Sequence, residues 1–375
     1  MGNFDRIPVS NPLASYLINF EIINSTIQST LNSGNYIHGP QLLQFEQEFA
    51  NYLNVKEVIG VGNGTDALYL AIRSLDLGAG DPIITVSNTA VATVAAIEMA
   101  NAIPVLVDIS KDDGLMNTNS LSQALGEFKD IKCVIPVHLY GRPIDMKLIE
   151  SISNQNNIRI IQDCAQAHGA RFDENHVSSW GDLSTYSFYP TKNLGCFGDG
   201  GAVATNNIEA ANKVRLLREY GWKERYISDI PGINSRLDEI QAAILRVKLM
   251  WLENENERRR EIAKIYNNGL NDLEDLILPP NDRVGNVYHQ FVIRSTKRDD
   301  LRKWLNEKGV GTLIHYPIPI HQQPAYKNRI RIVSGGLPIT EIFCREILSL
   351  PIFPQLSNEE VEKVISYIRS FFGKK

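Results

Sequence analysis

The chain has 375 residues, of which 43% are hydrophobic and 22% are charged, and its 38 basic and 43 acidic side chains leave a formal net charge of −5. This composition excludes a disordered protein, which combines low hydrophobicity with high net charge. The mild acidic excess argues against a nucleic-acid-binding protein, which usually carries a basic surplus. The length exceeds that of one typical domain and predicts a large and a small domain.

The first half of the chain alternates short apolar runs with helical patterns. Helices are predicted over 65–72, where Thr65 can act as the N-cap, and over 91–100. The predicted strands are 58–61, 82–86, 103–107, 133–137, 158–161, 184–188 and 202–205. Strands that alternate with helices indicate parallel βαβ units, so we expect an α/β fold whose sheet is covered on both faces.

The pattern changes in the second half. Residues 236–266 predict one long helix that bridges to a second domain, and we expect its polar stretch 253–261 to be solvated. The later predicted elements are a strand at 289–294 and helices at 299–308 and 358–372. We therefore predict a large domain over 1–250 and a small α+β domain over 251–375.

Targeting and cysteine signals are sparse. No stretch reaches the ~18 apolar residues that a membrane span needs, and the polar first ten residues contain no apolar signal-peptide core. The four cysteines, which form no CxxC pair, are Cys133, Cys164, Cys196 and Cys344. Such thiols suit a reducing compartment better than a disulfide framework or a zinc site. We expect a cytoplasmic protein with no metal site and with neither membrane nor nucleic acid as a partner.

A glycine turn at 62–65 lies between the first predicted strand and the first predicted helix. Free backbone N–H groups and the helix dipole make such a turn an anion site, and glycine lets a phosphate approach the backbone. The turn is neither a GxGxxG motif nor a Walker loop. Taken alone, an ordinary structural turn explains these residues equally well.

Two charged residues follow predicted strands farther along the chain. Asp163 is separated by one residue from the run 158–161, which places a carboxylate at the carboxyl end of a parallel strand, where ligands bind in open α/β sheets. Taken alone, a helix cap or a structural ion pair explains it better. Lys192 lies between a strand and the glycine-rich turn 198–201. Desolvation there would lower the pKa of its amine and make it a nucleophile, although most lysines are ordinary surface residues.

Together these three features indicate a cofactor site. They occur in the order turn, acid and lysine, with Lys192 29 positions after Asp163. Pyridoxal 5′-phosphate (PLP) requires an anion cradle, a carboxylate for its pyridinium nitrogen and an amine for its Schiff base. Because the turn, Asp163 and Lys192 supply all three, we expect a PLP enzyme.

Over nearly its full length, the chain resembles the sugar-nucleotide aminotransferases of the DegT/DnrJ/StrS family. The stretches that carry the resemblance, in family order, are GNGTDAL at 62–68, DCAQAHGA at 163–170, SFYPTKNLGCFGDGG at 187–201, NSRLDEIQAA at 234–243 and HYPIPIH at 315–321. The resemblance implies the PLP fold type I architecture, with a mostly parallel, mixed sheet of seven strands in a large domain and a small α+β C-terminal domain. It also implies a homodimer with both active sites at the interface.

The resemblance implies a role for each matching residue. Lys192 corresponds to the Schiff-base lysine and Asp163 to the partner of the ring nitrogen, which makes these two the predicted catalytic residues. The other predicted cofactor-binding residues are Gly64, Thr65, Gln166, Ser187 and Asn234, the last of which reaches the phosphate from the neighbouring subunit. The predicted substrate-binding residues are His315, Tyr316 and His321. For the two histidines a solvated loop position remains an alternative, and their spacing is no metal signature.

Two positions refine the predicted reaction. Lys192 stands where some relatives carry a histidine and catalyse deoxygenation, so the resemblance implies a transaminase. Ala90 stands where many relatives place an aromatic residue over the cofactor ring, so we do not expect ordinary ring stacking. The stretch TAVATVAAI at 89–97 is more similar to relatives that aminate C3 of a 6-deoxyhexose than to those that aminate C4.

The resemblance thus implies amino transfer from L-glutamate to a nucleotide-linked, dTDP-type 3-keto-6-deoxyhexose. Amination at C4, or of a UDP-linked keto sugar, is an alternative within this class. Outside it, Cys164 and His168, four residues apart, suggest a cysteine hydrolase, but no oxyanion loop accompanies them. A non-catalytic PLP-binding regulator lacks support from a basic patch. A nicotinamide dehydrogenase lacks a GxGxxG motif after the first strand.

Overall fold

The computed structural model describes residues 6–281 and 285–374; residues 1–5, within the predicted polar N-terminus, and residues 282–284 and 375, within the predicted small domain, lie outside it. The helices of the described residues are α1 (Pro12–Ile18), α2 (Phe20–Ser33), α3 (Pro40–Leu53), α4 (Gly64–Ser74), α5 (Val91–Met99), α6 (Thr118–Glu127), α7 (Met146–Asn156), α8 (Ile208–Leu217), α9 (Glu239–Leu249), α10 (Leu252–Leu270), α11 (Arg298–Glu307), α12 (Pro338–Glu346) and α13 (Asn358–Phe371). The strands of the same residues are β1 (Glu57–Val61), β2 (Pro82–Val86), β3 (Ile103–Val107), β4 (Cys133–Val134), β5 (Arg159–Asp163), β6 (Arg171–Phe172), β7 (Asn175–His176), β8 (Leu183–Ser187), β9 (Gly201–Thr205), β10 (Trp222–Glu224), β11 (Ile227–Ser228), β12 (Phe291–Arg294), β13 (Arg331–Ile332) and β14 (Ile347–Leu350).

Eight strands of the described residues form one sheet, in the order β1-β9-β8-β5-β4-β2-β3-β13. Neighbouring strands pair in parallel from β8 to β13, whereas β9 pairs antiparallel with both β8 and β1. The sheet is therefore mixed but mostly parallel, as predicted. It has one strand more than the predicted seven because β13, only two residues long, adds to the edge at β3.

Alternating side chains of β1, β8 and β9 enter two different cores, because successive residues of a strand point to opposite faces. Val58 and Tyr186 pack into a cluster with α3 and α9, where the rings of Phe49 and Tyr186 meet edge to face with centroids 5.2 Å apart. Ile59 and Val203 pack on the other face into a cluster with α4 and α8. Helices thus cover the sheet on both faces, which the α/β pattern predicted.

The predicted long helix over 236–266 is wrong as a single element. The structure divides it into α9 and α10, which are separated by Met250 and Trp251. The physical reason is that the two helices bury against different partners: α9 contributes to the cluster around α3, and α10 to a C-terminal cluster with α13. A single straight helix would not direct its apolar face toward both.

The stretch 253–261, which we expected to be solvated, is also partly buried. Asn256 and Arg259 are 0% and 6% exposed. Arg259 donates to the backbone carbonyls of Tyr288 and Ile352 at 3.3 and 3.1 Å. Polar side chains tolerate burial when such partners are available, so polarity alone did not identify the solvent-facing side of this helix.

Two other predicted details differ from the structure. The strand predicted over 133–137 is only two residues long, and Val137 makes an isolated bridge to Asp163. Pro136 has no N–H to donate to a sheet ladder, which explains the interruption. The sequence patterns also did not identify α1, α2 and α3, which precede the first strand.

The C-terminal part contributes a two-stranded antiparallel ribbon, β12 with β14, packed with α10, α11 and α13. This arrangement matches the predicted α+β character of that part. Within the part of the chain that the structure describes, none of the helices combines the length and the hydrophobicity of a transmembrane segment.

Candidate active site

The carboxyl ends of the parallel strands bring the predicted residues together. Five of them line one cavity of about 610 Å³, and these are Gly64, Thr65, Asp163, Ser187 and Lys192. Gly64 and Thr65 follow β1, Asp163 ends β5, Ser187 ends β8, and Lys192 lies on the loop between β8 and β9. Ligands bind at this edge of an open α/β sheet, so the cavity is the candidate active site.

The first turn of α4 forms one end of the cavity. Its N-cap is Asn63, whose side chain accepts from the amide of Asp66 at 2.9 Å, and not Thr65 as we predicted. The amides of Gly64 and Thr65 make no hydrogen bond within the part of the chain that the structure describes. Unpaired N–H groups at a helix N-terminus are donors for an anion.

Gly64 is required by a close approach of two segments. A Cβ atom at this position would lie 2.7 Å from the Cβ atom of Ser187. The hydroxyl of Ser187 accepts from the amide of Tyr189 at 3.4 Å and keeps its own proton free to donate. The helix start and the end of β8 thus direct donors to the same end of the cavity.

A buried hydroxyl that the sequence analysis missed supports this turn. Ser235 accepts from the amide of Gly62 at 2.9 Å and donates to the carboxylate of Asp66 at 2.6 Å. Ser235 is the second residue of the NSRLDEIQAA stretch. It lies 173 residues from Gly62 in the sequence, so no local pattern connected them.

Asp163 lies almost fully buried at the end of β5, with 5% of its surface exposed. One carboxylate oxygen accepts from the hydroxyl of Thr93 at 2.8 Å, and the other accepts from the amide of Ala165 at 3.1 Å. Burial raises the pKa of Asp163, while these two hydrogen bonds and the charge of Lys192 oppose the rise.

Lys192 is half-buried and opens onto the cavity. Desolvation by the surrounding protein lowers the pKa of its amine to about 8, and the nearby Asp163 opposes this change. A lysine with such a pKa is partly neutral near pH 7 and can therefore act as a nucleophile or a base.

The residue after the lysine fixes the loop that carries it. The side-chain amide of Asn193 donates to Asn256 at 2.8 Å and to the carbonyl of Val287 at 2.9 Å, and its oxygen pairs with the His289 ring at 3.2 Å. Asn256 in turn donates to the carbonyl of His168 at 2.9 Å. The lysine loop is therefore anchored to α10 and to the segment before β12.

Gln166, His315 and Tyr316 lie beside the cavity. The side-chain amide of Gln166 donates to the hydroxyl of Tyr316 at 3.2 Å, and its oxygen accepts from the amide of Tyr140 at 2.7 Å. Burial raises the pKa of Tyr316 to about 12, and the charge of the nearby Asp163 adds to this rise. The ring of His315 pairs with the hydroxyl of Ser349 at 2.8 Å. Burial lowers the pKa of His315 to about 4, and the charge of Lys192 adds to this shift.

Two predicted site residues lie elsewhere. The ring of His321 contacts Ser87 at 2.8 Å and Glu341 at 3.3 Å, and it lines a separate cavity of about 600 Å³. Asn234 is exposed, and its backbone forms a bridge to Glu219. Within one subunit, the structure therefore does not bring these two residues to Lys192.

The position predicted to lack a stacking aromatic is part of the cavity wall. Ala90 and Ala92 line it at the start of α5. Tyr189 is the one aromatic residue among the described residues of the lining. The small side chains leave room over one side of the cavity.

The environment of Cys164 and His168 argues against a cysteine hydrolase. Burial raises the pKa of the Cys164 thiol and lowers that of His168 to about 3, whereas an active pair needs a thiolate beside a protonated imidazole. The His168 ring packs against Tyr186 and Phe188, with centroids 5.3 and 5.8 Å apart. Among the described residues, no group of three or more His, Cys, Asp or Glu side chains is arranged to hold a metal ion.

This mixed sheet, with a lysine and a buried carboxylate in one cavity at its carboxyl edge, is the arrangement that a PLP-dependent enzyme requires. Residues 19–369 match the model of the DegT/DnrJ/EryC1/StrS aminotransferase family. The chain therefore belongs to this family.

Known relatives extend over nearly the whole chain. A dTDP-3-amino-3,4,6-trideoxy-alpha-D-glucose transaminase from Streptomyces venezuelae is 40% identical over 367 residues, which is 98% of this chain and 96% of the relative. A dTDP-3-amino-3,6-dideoxy-alpha-D-galactopyranose transaminase from Aneurinibacillus thermoaerophilus is 42% identical over 349 residues, covering 93% and 95%. The crystal structure of S. venezuelae DesV in complex with a ketimine intermediate has 39% identity and a TM-score of 0.95, covering 99% of both chains.

These comparisons confirm the predicted family, the predicted fold class and the assignment to the transaminases. They also confirm PLP as the cofactor, because aminotransferases of this family depend on it.

Proposed function

We propose that this enzyme transfers an amino group from L-glutamate to C3 of a dTDP-linked 3-keto-6-deoxyhexose and forms a 3-amino-3,6-dideoxy sugar nucleotide. The observation that carries the proposal is that Lys192, Asp163 and the free amides of α4 line a single cavity. The names of two similar proteins, both transaminases of dTDP-3-amino sugars, support the substrate class.

The donors of the cavity fit PLP. Its phosphate would accept hydrogen bonds from the amides of Gly64 and Thr65 and from the Ser187 hydroxyl, at the positive end of the α4 dipole. Asp163, at the end of β5, would hold the ring nitrogen in its protonated form. Bound PLP supplies an aldehyde that forms a Schiff base and a ring that accepts electrons.

We assign the proton transfers to Lys192. Once the amino donor takes its place on the cofactor, the amine of Lys192 would be free, and its lowered pKa suits a base near neutral pH. It would remove the proton from the α-carbon of the amino donor and then deliver a proton to the cofactor carbon that carried the aldehyde. The same lysine serves both half-reactions, so we expect ping-pong kinetics.

We assign His315 and Tyr316 to the sugar side of the site, because His315 lies near Lys192 and Tyr316 lies near Asp163. Gln166 holds the Tyr316 hydroxyl through its amide and is assigned to the cofactor ring. His321 remains a predicted substrate-binding residue, although it lines a separate cavity.

We propose that two copies of the chain share each site. Lys192 is the single basic residue among the described residues that line the cavity, which also contains the carboxylates of Asp66 and Asp199. A phosphate in this acidic surrounding gains from donors of a second subunit, and the exposed Asn234 is available to supply one. Exposed apolar side chains on α1, including Leu13, Leu17 and Ile18, support a dimer interface.

We also propose a cytoplasmic location. Cys133, Cys164, Cys196 and Cys344 are all unpaired. Thiols that remain reduced are typical of a reducing compartment.

A substrate panel tests the function. Purified enzyme is incubated with L-glutamate and with dTDP- or UDP-linked 3-keto and 4-keto sugars, and product mass and amination position are measured. We expect amination at C3 of the dTDP-linked sugar, with L-glutamate preferred over L-aspartate and L-glutamine. Lys192→Ala is the control, since it retains the cavity but lacks the amine.

Other outcomes favour the alternatives. Faster product formation from a 4-keto or UDP-linked sugar would replace the proposed substrate. PLP binding without transfer from any donor to any sugar would favour the non-catalytic regulator. A protein that remains colourless after incubation with PLP would contradict the whole proposal.

A further inference from the structure

A chain of buried hydroxyls leads to the candidate catalytic carboxylate. The hydroxyl oxygens of Thr89 and Thr93 lie 3.1 Å apart, and Thr93 donates to Asp163 at 2.8 Å. Thr89 is 2% exposed, Thr93 is 0% exposed and Asp163 is 5% exposed. The mechanism above uses neither threonine.

The direction of these hydrogen bonds follows from donor counting. An ionised carboxylate only accepts, so the single O–H of Thr93 is committed to Asp163. The bond between the two threonines must therefore be donated by Thr89. Both hydroxyls point their protons toward Asp163, which adds positive potential at the carboxylate.

The surroundings of Thr93 are apolar, so its buried hydroxyl would be destabilising without the hydrogen bond to Asp163. Thr93 lies in the first turn of α5, whose other buried residues are the apolar Val94, Ala96 and Ile97. Valine has nearly the same shape and would fill the same position without a polar atom to satisfy. A threonine here is explained by the hydrogen bond that it donates.

The two protein donors also restrict how Asp163 can turn. Thr93 holds one carboxylate oxygen and the amide of Ala165 holds the other. The carboxyl group is thus fixed at both oxygens while it still borders the cavity. The other titratable groups that interact with Asp163 are Lys192, Tyr316 and Cys164.

We propose that Thr93 is a positioning residue that keeps Asp163 ionised and directed at the ring nitrogen of the cofactor, and that Thr89 strengthens this bond through its own hydroxyl. The proposal rests on the proposed function, in which Asp163 is the partner of that nitrogen. Burial raises the pKa of Asp163, and the Thr93 hydrogen bond is the strongest influence that opposes it, which agrees with this role.

The experiment compares four holoenzymes: wild type, Thr93→Val, Thr93→Ser and Thr89→Val. Each is measured for the rate at which PLP dissociates and for the pH midpoint of the visible absorption change of the Schiff base. Thr93→Val removes the hydroxyl at constant shape, Thr93→Ser retains it, and Thr89→Val removes only the outer hydroxyl. Thermal unfolding of each variant provides the control for folding.

We expect Thr93→Val to release PLP about tenfold faster, because a hydrogen bond to a charged group is lost. Its absorption midpoint moves upward by roughly one pH unit, because a less positive ring leaves the Schiff-base nitrogen more basic. Thr93→Ser stays within about twofold of wild type, and Thr89→Val shows a smaller change in the same direction.

Unchanged dissociation and an unchanged midpoint in Thr93→Val, with wild-type colour, would overturn the inference and leave the proposed function intact. Wild-type protein that never binds PLP would instead remove the proposed function. If Thr93→Val does not fold, the other two variants test the inference. A midpoint in Thr89→Val identical to that of wild type would contradict the role of Thr89. A midpoint in Thr93→Ser different from that of wild type would contradict the role of the Thr93 hydroxyl.

Discussion

At the scale of single residues, the chemistry depends on Asp163 and Lys192, whose shifted pKa values both favour the uncharged form of the side chain. Burial raises the pKa of Asp163 and lowers that of Lys192 to about 8, although each charge favours the other. Burial therefore outweighs their attraction. A cationic ring nitrogen beside Asp163 would change this balance, because it compensates the buried carboxylate.

Removal of the lysine amine is the first test at this scale. After treatment with borohydride, the wild-type protein should carry covalently attached cofactor, and Lys192→Ala should carry none. Its turnover should fall by at least the ~10²–10⁴-fold that a placed acid–base group supplies. Lys192→Arg is the matched control, because it retains a cation but cannot form the Schiff base. Normal activity in Lys192→Ala would remove the residue from its assigned role.

The pH dependence of cofactor binding is a second test. Only the neutral amine attacks the aldehyde, and the pKa of Lys192 lies at about 8 in the protein without cofactor. The rate at which PLP forms its Schiff base should rise with pH up to that value and level off above it. Stopped-flow absorbance of cofactor-free protein measures this rate. A rise that continues toward pH 10 would mean that the amine has an ordinary lysine pKa.

Replacement of the carboxylate is a third test. Asp163→Asn retains the shape of the side chain but loses the negative charge and one of the two oxygens that accept from Thr93 and Ala165. Most of the turnover should be lost while the fold is retained, because the ring nitrogen no longer has a charge that holds its proton. Circular dichroism and steady-state kinetics give the two measurements. An unchanged rate would contradict the assignment of Asp163.

The sequence located Lys192 and Asp163 because each follows a predicted strand, and strand ends meet at one edge of a parallel sheet. It did not locate their supports. The hydrogen bonds of Thr93 to Asp163 and of Asn193 to His289 join residues 70 and 96 positions apart. Such pairings depend on tertiary packing, which leaves no trace in local spacing.

At the scale of elements, one buried carboxylate joins α9 to α3. Glu239, 1% exposed, accepts from the amides of Gly39, Gln41 and Leu42 at 2.9, 2.8 and 2.8 Å. These amides belong to the start of α3, where a negative charge is favourable. Glu239 also lies in the NSRLDEIQAA stretch, whose Ser235 supports the turn of the site.

Glu239→Ala should lower the free energy of unfolding by about 3 kcal/mol, because three buried N–H groups lose a charged acceptor. Denaturant unfolding measures the change. Glu239→Gln is the control, since it retains an oxygen of similar position without the charge and should cost less. Equal stability of Glu239→Ala and wild type would show that these amides find other partners.

The same scale shows where prediction of elements succeeded. Apolar runs predicted β1, β2 and β3 within one residue, because strands that are buried on both faces are nearly continuous in hydrophobicity. The break between α9 and α10 was not predictable, since helical spacing continues across Met250 and only the packing partners differ. Helices α1 and α2 were not predicted from the sequence, because many of their apolar residues are exposed and do not form a single buried face.

At the scale of the whole molecule, the proposed dimer predicts complementation between two inactive variants. Lys192→Ala removes the amine of one site, and in the proposed dimer Asn234→Asp would place a negative charge beside the phosphate of the neighbouring site. Random exchange gives half heterodimers, each with one intact site of two, so activity should return to about a quarter of wild type. Activity after mixing, with heterodimers verified by mass, measures this. No recovery would place Asn234 in the site of its own subunit.

The short strand β13 determines how independent the two predicted domains can be. Arg331–Ile332 cover the edge of β3, and Val333 and Phe343 belong to the same core as Val105. A fragment that ends at Met250 would leave that edge open beside uncovered apolar side chains. We expect such a truncation to aggregate on expression, and light scattering would measure this. The final third of the polypeptide is therefore needed to complete the sheet that precedes it and to keep it soluble.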